Sequence, residues 1–177
     1  MSRIITRPLL PPELLILSLT QSCNLKCITC SIKREITQES LYIDIDKIFD
    51  IVNQAKKVRI DTIVLSGGEP FLLKEAFEIV KYVKKVGMKI SATTNGFYND
   101  QIVEKIADSN IDHLHFSLDG LPEHHDEIRG KGTYDRLIRT IGLIRQLNPN
   151  QSIVIGIVIC GKNCNDLFEM IKIADSL

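Results

Sequence analysis

The chain has 177 residues, of which 44% are hydrophobic, and these values suit one domain with an ordinary packed core. They exclude a disordered or fibrous protein. The 22 basic residues balance the 22 acidic ones, so the overall charge favours neither nucleic acid nor an anionic membrane surface. No apolar stretch approaches the roughly 20 residues that span a bilayer, so we predict no membrane segment.

Short apolar runs alternate with longer amphipathic stretches, which is the pattern of βα units around a mostly parallel sheet. The runs predict five strands, at residues 14–20, 62–66, 89–93, 113–118 and 152–160. The amphipathic stretches predict helices near residues 44–58, near 76–83 with an end at Gly87, near 100–108, from about Tyr134, and from Asn165 or Asp166. We therefore predict an α/β fold, a partial parallel (βα) barrel of five units with functional groups at the strand ends.

The loop after the first strand carries Cys23, Cys27 and Cys30 at the spacing CxxxCxxC. Three thiolates this close can hold three corners of an iron–sulfur cluster and leave a fourth corner open for a cofactor. The spacing alone leaves a zinc knuckle and a Cys27/Cys30 dithiol as alternatives. Cys160 and Cys164 are too few for a second metal site, so we interpret them as structural. An odd count of five cysteines favours a reducing, cytoplasmic setting over disulfides.

Polar and glycine-rich segments follow the next three predicted strands. They read SGGEP at residues 66–70, TTNG at 93–96 and SLDG at 117–120. The paired glycines allow the backbone to approach a ligand closely, and Glu69 suits an ammonium group. Taken alone, the first segment also fits a plain strand-to-helix turn. Because polar groups recur at the same end of successive strands, we expect these segments to form one site.

The fourth strand presents a row of polar side chains on one face. His113, His115, Ser117 and Asp119 alternate along it and therefore share that face. If the face lines the barrel lumen, His115 can contact a substrate or transfer a proton there. A hydrogen-bonded core histidine is the alternative.

A polar stretch follows the fourth strand and is predicted to be a loop ending at residues 130–132. Its histidines, His124 and His125, are predicted to lie at the surface. Arg129 can hold a carboxylate through two parallel hydrogen bonds. A solvated loop charge is the alternative for this arginine.

The CxxxCxxC loop, GGEP, TTNG and SLDG together resemble the radical S-adenosylmethionine (SAM) superfamily in identity, order and spacing. The resemblance covers almost the whole chain and is greatest to the broad group of cofactor-maturation and peptide-modifying members. It implies one radical SAM core domain over residues 1–177 that ends before the sixth strand of the barrel. One departure is Thr29, which stands where family members usually carry an aromatic residue.

The resemblance also implies cofactors and their ligands. It places a 4Fe–4S cluster on Cys23, Cys27 and Cys30, with SAM chelating the fourth iron through its amino and carboxylate groups. The implied cofactor-binding residues follow the strands: Gly67, Gly68 and Glu69, followed by Pro70, for the amino group; Asn95 as a site residue after strand three; Ser117 and Asp119 for the ribose or carboxylate; and Arg129 for the carboxylate.

The implied function is that of a radical SAM enzyme. The reduced cluster cleaves SAM to a 5′-deoxyadenosyl radical, which abstracts hydrogen from an unknown small molecule or peptide. The implied partner is a one-electron reductant such as ferredoxin or flavodoxin. Two alternatives stay open: a non-catalytic iron–sulfur or zinc-binding module, and a thiol redox protein that uses Cys27 and Cys30.

Overall fold

The computed structural model describes residues 12–31 and 44–177, and the other residues of the predicted domain lie outside this description. The strands are β1 Leu14–Thr20, β2 Thr62–Gly67, β3 Lys89–Thr94, β4 His113–Ser117 and β5 Ser152–Gly156. The α-helices are α1 Ile45–Lys57, α2 Glu75–Lys85, α3 Asp100–Ala107, α4 Pro122–Arg129, α5 Thr133–Leu147 and α6 Leu167–Ser176. A 3₁₀ turn covers Pro70–Leu72. Within the described residues, no helix is long and apolar enough to cross a membrane.

The five strands form one parallel sheet in the order β1-β2-β3-β4-β5. The register aligns Leu14 with Thr62, Thr62 with Lys89, and His113 with Ser152. Because each strand pairs with the next one along the chain, every connection crosses over through a helical segment, and all carboxyl ends lie at one edge of the sheet. The predicted α/β partial barrel is confirmed, and each predicted strand is present.

The core lies between one face of the sheet and the helices. Alternate strand residues pack into it: Leu17, Leu19, Ile63, Leu65, Ile90, Ala92, Leu114 and Phe116. The opposite face has no helical layer among the described residues, and Ile16 on it is 60% exposed. We call this surface the open face and define it by Leu14, Ile16, Val64, Thr93, His115, Ser117 and Val154.

Two elements differ from the sequence-based expectation. Residues 122–129 form the helix α4 and not a loop, with Pro122 in its first turn and Gly130 directly after its end. β5 ends at Gly156 and does not reach residue 160, because the Val158 N–H donates to the carboxylate of Asp119 (2.8 Å). As a result, Asp119 after β4 contacts both helix α4 and the segment that follows β5.

Gly96, directly after the TTN segment, has a backbone that disfavours any side chain. Its φ is +70°, and an added Cβ would lie 2.5 Å from Leu137 Cδ1. We therefore expect Gly96→Ala to lower the free energy of unfolding by about 2–4 kcal/mol, combining left-handed strain with overpacking. Urea denaturation measures this change.

Gly142→Ala is the matched control within helix α5, since an added Cβ there meets open space. We expect it to raise the free energy of unfolding by up to about 1 kcal/mol through helix propensity. Equal effects of the two substitutions would contradict the packing described at Gly96.

Candidate functional site

The segments that follow β1, β2, β3 and β4 meet at one edge of the sheet, as predicted. Glu69 after β2 accepts a hydrogen bond from the main chain of Asn95 after β3 (2.7 Å). The Asn95 side chain in turn lies 3.6 Å from the sulfur of Cys23. Arg129, at the end of α4, pairs with Asp119 after β4 (2.7 Å).

The cysteine loop is held from two sides. The Asn24 side-chain amide donates to the carbonyl of Phe97 after β3 (2.6 Å). On the other side, the Ile28 N–H donates to the carbonyl of Ile128 in α4 (2.9 Å). The loop therefore takes its position from β3 and from the helix that the sequence did not predict.

The three cysteines of the loop are free thiols, each partly exposed. Burial raises the pKa of the Cys27 thiol, and the Arg129 guanidinium opposes that shift. The neighbouring thiols of Cys23 and Cys30 raise the pKa further, so the three groups lie close enough to interact.

The donor chemistry of the loop suits an iron–sulfur cluster, because three neighbouring thiols supply the soft ligands that such clusters use. The side chains are not already arranged around a metal. Within residues 12–31 and 44–177, no three His, Cys, Asp or Glu side chains form a group that could hold a metal ion.

The paired glycines after β2 are required by a close approach of two backbones. A Cβ on Gly67, whose φ is +120°, would overlap the carbonyl oxygen of Thr20, and one on Gly68 would overlap that of Ser22. Across this contact the Gly68 N–H donates to Thr20 (2.6 Å) and the Glu69 N–H to Ser22 (2.8 Å). The glycines thus join the end of β2 to the start of the cysteine loop.

Glu69 is buried, and its carboxylate is bound by the protein itself. One oxygen accepts the Asn95 N–H, and the other accepts the hydroxyl of Tyr98, which also bonds Thr94 (2.8 Å). Burial raises the pKa of Glu69 to about 7, against the opposing effect of these hydrogen bonds. Direct binding of an ammonium group by this carboxylate stays a prediction, which the burial disfavours.

Asp119 is buried among partners from helix α4 and from the segment that follows β5. Its carboxylate accepts from Arg129 Nε (2.7 Å) and from the Val158 N–H (2.8 Å). Its carbonyl accepts from the Asn163 side chain (2.7 Å), and its N–H donates to His125 Nδ1 (3.1 Å). Both carboxylate oxygens are therefore occupied, so a contact of this side chain with SAM stays a prediction that the structure does not favour.

His125 corrects the prediction that both adjacent histidines lie at the surface. It is completely buried, whereas His124 is partly exposed and bonds Asp166 (2.7 Å). Burial lowers the pKa of His125 to about 4, and the charge of Arg129 adds to this, so the ring is neutral. Its Nδ1 accepts a hydrogen bond, which leaves the proton on Nε2, a buried atom without a partner among the described residues.

The structure places His115 and Ser117 on the open face, as predicted. His113 bonds the hydroxyl of Ser152 (2.8 Å). Burial lowers the pKa of His115, and the neighbouring His113 lowers it further, so both effects favour the neutral ring. Within the described residues, no hydrogen bond joins His115 or Ser117 to the cysteine loop, and catalysis by His115 stays a prediction.

Asn163 and the burial of Asp119 were not identified from the sequence. A lone asparagine in a polar loop carries no sequence signal, and its position depends on contacts between distant loops. Cys160 is partly exposed and Cys164 exposed, so neither is the buried apolar residue that the structural interpretation implied.

The model of the radical SAM superfamily matches residues 17–174 of this chain. The chain belongs to the radical SAM superfamily. Members of this family use a 4Fe–4S cluster and SAM, the two cofactors predicted from the motifs. The family match confirms the predicted family and its cofactors.

Two sequence relatives illustrate the range of the family. The chain is 30% identical over 162 residues to a probable GTP 3′,8-cyclase of Sulfolobus acidocaldarius, covering 90% of this chain and 51% of the relative. It is 28% identical over 170 residues to an AdoMet-dependent heme synthase of Methanosarcina barkeri, covering 94% and 48%. The chain thus spans about half the length of these relatives.

Solved structures share the fold. Streptococcus suis SuiB bound to S-adenosylmethionine matches with a TM-score of 0.77 and 22% identity, over 91% of this chain and 37% of that chain. The anSMEcpe protein with bound AdoMet matches with a TM-score of 0.71 and 25% identity, over 93% and 49%. Both likenesses confirm the parallel α/β architecture.

The buried Glu69 predicts a pH dependence of stability. Its pKa in the folded chain, about 7, lies above the ordinary value of 4.5. The unfolded chain therefore releases this proton first as pH rises, so the stabilising contribution is complete below about pH 4.5 and is lost as pH approaches 7. We expect Glu69→Gln to remove that loss, measured as the free energy of unfolding from pH 4.5 to 8.

Glu104→Gln on the exposed side of helix α3 is the matched control, which keeps the wild-type pH profile. In Glu69→Gln, the Tyr98 hydroxyl can donate to Thr94 and accept from the new side-chain amide, so the variant retains its hydrogen bonds. A Glu69→Gln profile parallel to wild type would show that the carboxyl does not titrate in this range.

The Arg129–Asp119 pair predicts a large loss of stability when the arginine is removed. The Arg129 side chain is 11% exposed and that of Asp119 is fully buried, so Arg129→Ala leaves an unpaired buried charge. We expect a loss of roughly 3–5 kcal/mol in the free energy of unfolding, measured in urea.

Arg139→Ala is the matched control, because Arg139 forms an exposed pair with Asp100 at the same distance of 2.7 Å. Exposed pairs contribute about 1 kcal/mol or less, so this change is small. Similar losses in both variants would contradict the role assigned to the buried pair.

Proposed function

We propose that the chain is the catalytic core of a radical SAM enzyme, in which Cys23, Cys27 and Cys30 hold a 4Fe–4S cluster with an open iron for SAM. When bound, the cluster and SAM supply a 5′-deoxyadenosyl radical that abstracts hydrogen from a substrate. The observation that carries the proposal is the joining of the cysteine loop to the ends of β2 and β3 through Glu69 and Asn95.

The residues beside the loop have distinct proposed roles toward SAM. The carbonyl oxygen of Gly68 accepts no hydrogen bond within the described residues, so the main chain can receive the ammonium group in place of the buried Glu69 side chain. Arg129 uses Nε for Asp119, and its terminal nitrogens remain as donors for the SAM carboxylate. Ser117, on the open face, is proposed to bond the ribose.

The substrate is proposed to approach the open face. Ile16 and Val154 supply exposed apolar surface there, while His115 and Ser117 supply polar groups. The relatives that match this chain over about half of their own length are named a probable GTP 3′,8-cyclase and an AdoMet-dependent heme synthase. We therefore infer that the chain contains the part of the enzyme that family members share although their substrates differ. The proposed substrate is a small molecule or a peptide.

The remaining proposals concern the organisation and setting of the protein. Residues 1–177 form one radical SAM core domain. Its electrons come from a low-potential one-electron donor such as a ferredoxin or flavodoxin, and it acts in the cytoplasm, where free thiols persist.

Anaerobic reconstitution with iron and sulfide tests the proposal. We expect the wild-type chain, with dithionite and SAM, to release 5′-deoxyadenosine, measured by liquid chromatography and mass spectrometry. Cys27→Ala removes a cluster ligand and is expected to lower the yield to the background without protein. Cys164→Ala, an exposed cysteine outside the loop, is the matched control and keeps the wild-type yield.

Two results would contradict the enzyme assignment. Zinc without iron after anaerobic purification would identify a structural module. Thiol redox activity that survives Cys23→Ala would identify thiol chemistry at Cys27 and Cys30 in place of a cluster.

A further inference from the structure

Two N–H groups point at the sulfur of Cys23. One is the main-chain N–H of Leu25, at 3.4 Å, and the other is the side-chain amide of Asn95, at 3.6 Å. Within the described residues, Asn95 is the one side chain that donates to a sulfur of the cysteine loop. Cys23 therefore differs from Cys27 and Cys30, since a side-chain N–H donates to its sulfur.

The orientation of the Asn95 amide is determined by its neighbours. Its Oδ1 accepts the N–H of Phe97 (2.8 Å), and its Nδ2 donates to Asn24 Oδ1 (2.8 Å) as well as to Cys23. A flipped amide would place Nδ2 against the Phe97 N–H and Oδ1 against Asn24 Oδ1, so both contacts would be repulsive. The nitrogen must therefore face the sulfur.

The main chain of Asn95 is held as firmly as its side chain. Its N–H donates to the buried carboxylate of Glu69 (2.7 Å), and the residue is 7% exposed. An N–H donor kept out of water interacts more strongly with a charged acceptor than a solvated donor does. Asn95 is thus a rigid donor next to a group that becomes a thiolate when iron binds.

Such a hydrogen bond changes the electron affinity of a cluster. A free Cys23 thiol donates weakly to Asn24 Oδ1 (3.9 Å), but an iron-bound thiolate has no hydrogen and acts only as an acceptor. Donors to a ligand sulfur withdraw negative charge and favour the reduced cluster, which raises its reduction potential.

We propose that Asn95 is a positioning residue that raises the reduction potential of the cluster through its hydrogen bond to Cys23. The role rests on the proposed function, since it requires a cluster on the cysteine loop. Asn95 contacts neither substrate nor SAM in this role, and it acts through the ligand sulfur.

A redox titration of the reconstituted full chain, followed by electron paramagnetic resonance (EPR), tests the proposal. Asn95→Ala removes the donor without adding charge, and Asn95→Asp removes it but keeps an oxygen for the Phe97 N–H. We expect both variants to shift the midpoint potential to more negative values, with iron and sulfide content equal to wild type.

Asn150→Ala is the matched control, because Asn150 is an exposed asparagine between α5 and β5, at the opposite edge of the sheet from the cysteine loop. We expect its midpoint potential to equal that of wild type. An unchanged potential in Asn95→Ala, or an equal shift in Asn150→Ala, would overturn the inference.

A second measurement detects the Asn95 nitrogen directly. Asparagine labelled with ¹⁵N in the side chain is expected to give a hyperfine coupling to the reduced wild-type cluster in pulsed EPR, and the loss of this coupling in Asn95→Ala assigns it to Asn95. A wild-type cluster without this coupling would contradict this inference alone. A wild-type chain that assembles no 4Fe–4S cluster would contradict the proposed function, and the inference with it.

Discussion

The site depends on the close packing of the Gly67–Gly68 backbone against residues 20–22. Only glycine permits this approach, because a Cβ at either position would overlap a carbonyl oxygen. The contact continues through Glu69, whose N–H donates to Ser22 and whose carboxylate accepts from Asn95. Asn95 then donates to Cys23, next to Ser22, so the hydrogen bonds form a closed ring around the base of the cysteine loop.

A second set of contacts secures the other side of the loop. Helix α4 supplies the Ile128 carbonyl to Ile28 and the Arg129 guanidinium to Asp119. Asp119 also accepts a hydrogen bond from the Val158 N–H, so the segment after β5 is bound to the end of β4. Buried charge and irregular backbone are thus concentrated where the proposed cofactors bind, and the remainder of the sheet is regular.

Much of this arrangement could be predicted from the sequence, because periodic apolar runs and cysteine spacing are local signals. The helix α4 could not be predicted, since its polar residues conceal that His125 and Ile128 are buried. The inward orientation of Glu69 could not be predicted either, because it depends on Tyr98 and Asn95 from the segment that follows β3. What the sequence left undetermined is chiefly which polar side chains bind each other and which remain for a ligand.

The central claim is that SAM binds at the open iron of a cluster on Cys23, Cys27 and Cys30. The most direct test is the EPR spectrum of the anaerobically reduced, reconstituted chain recorded with and without SAM. The account predicts a 4Fe–4S signal whose g values shift when SAM is added. A signal identical in both samples would contradict it, because a cluster with no open iron, or with no SAM beside it, would not respond.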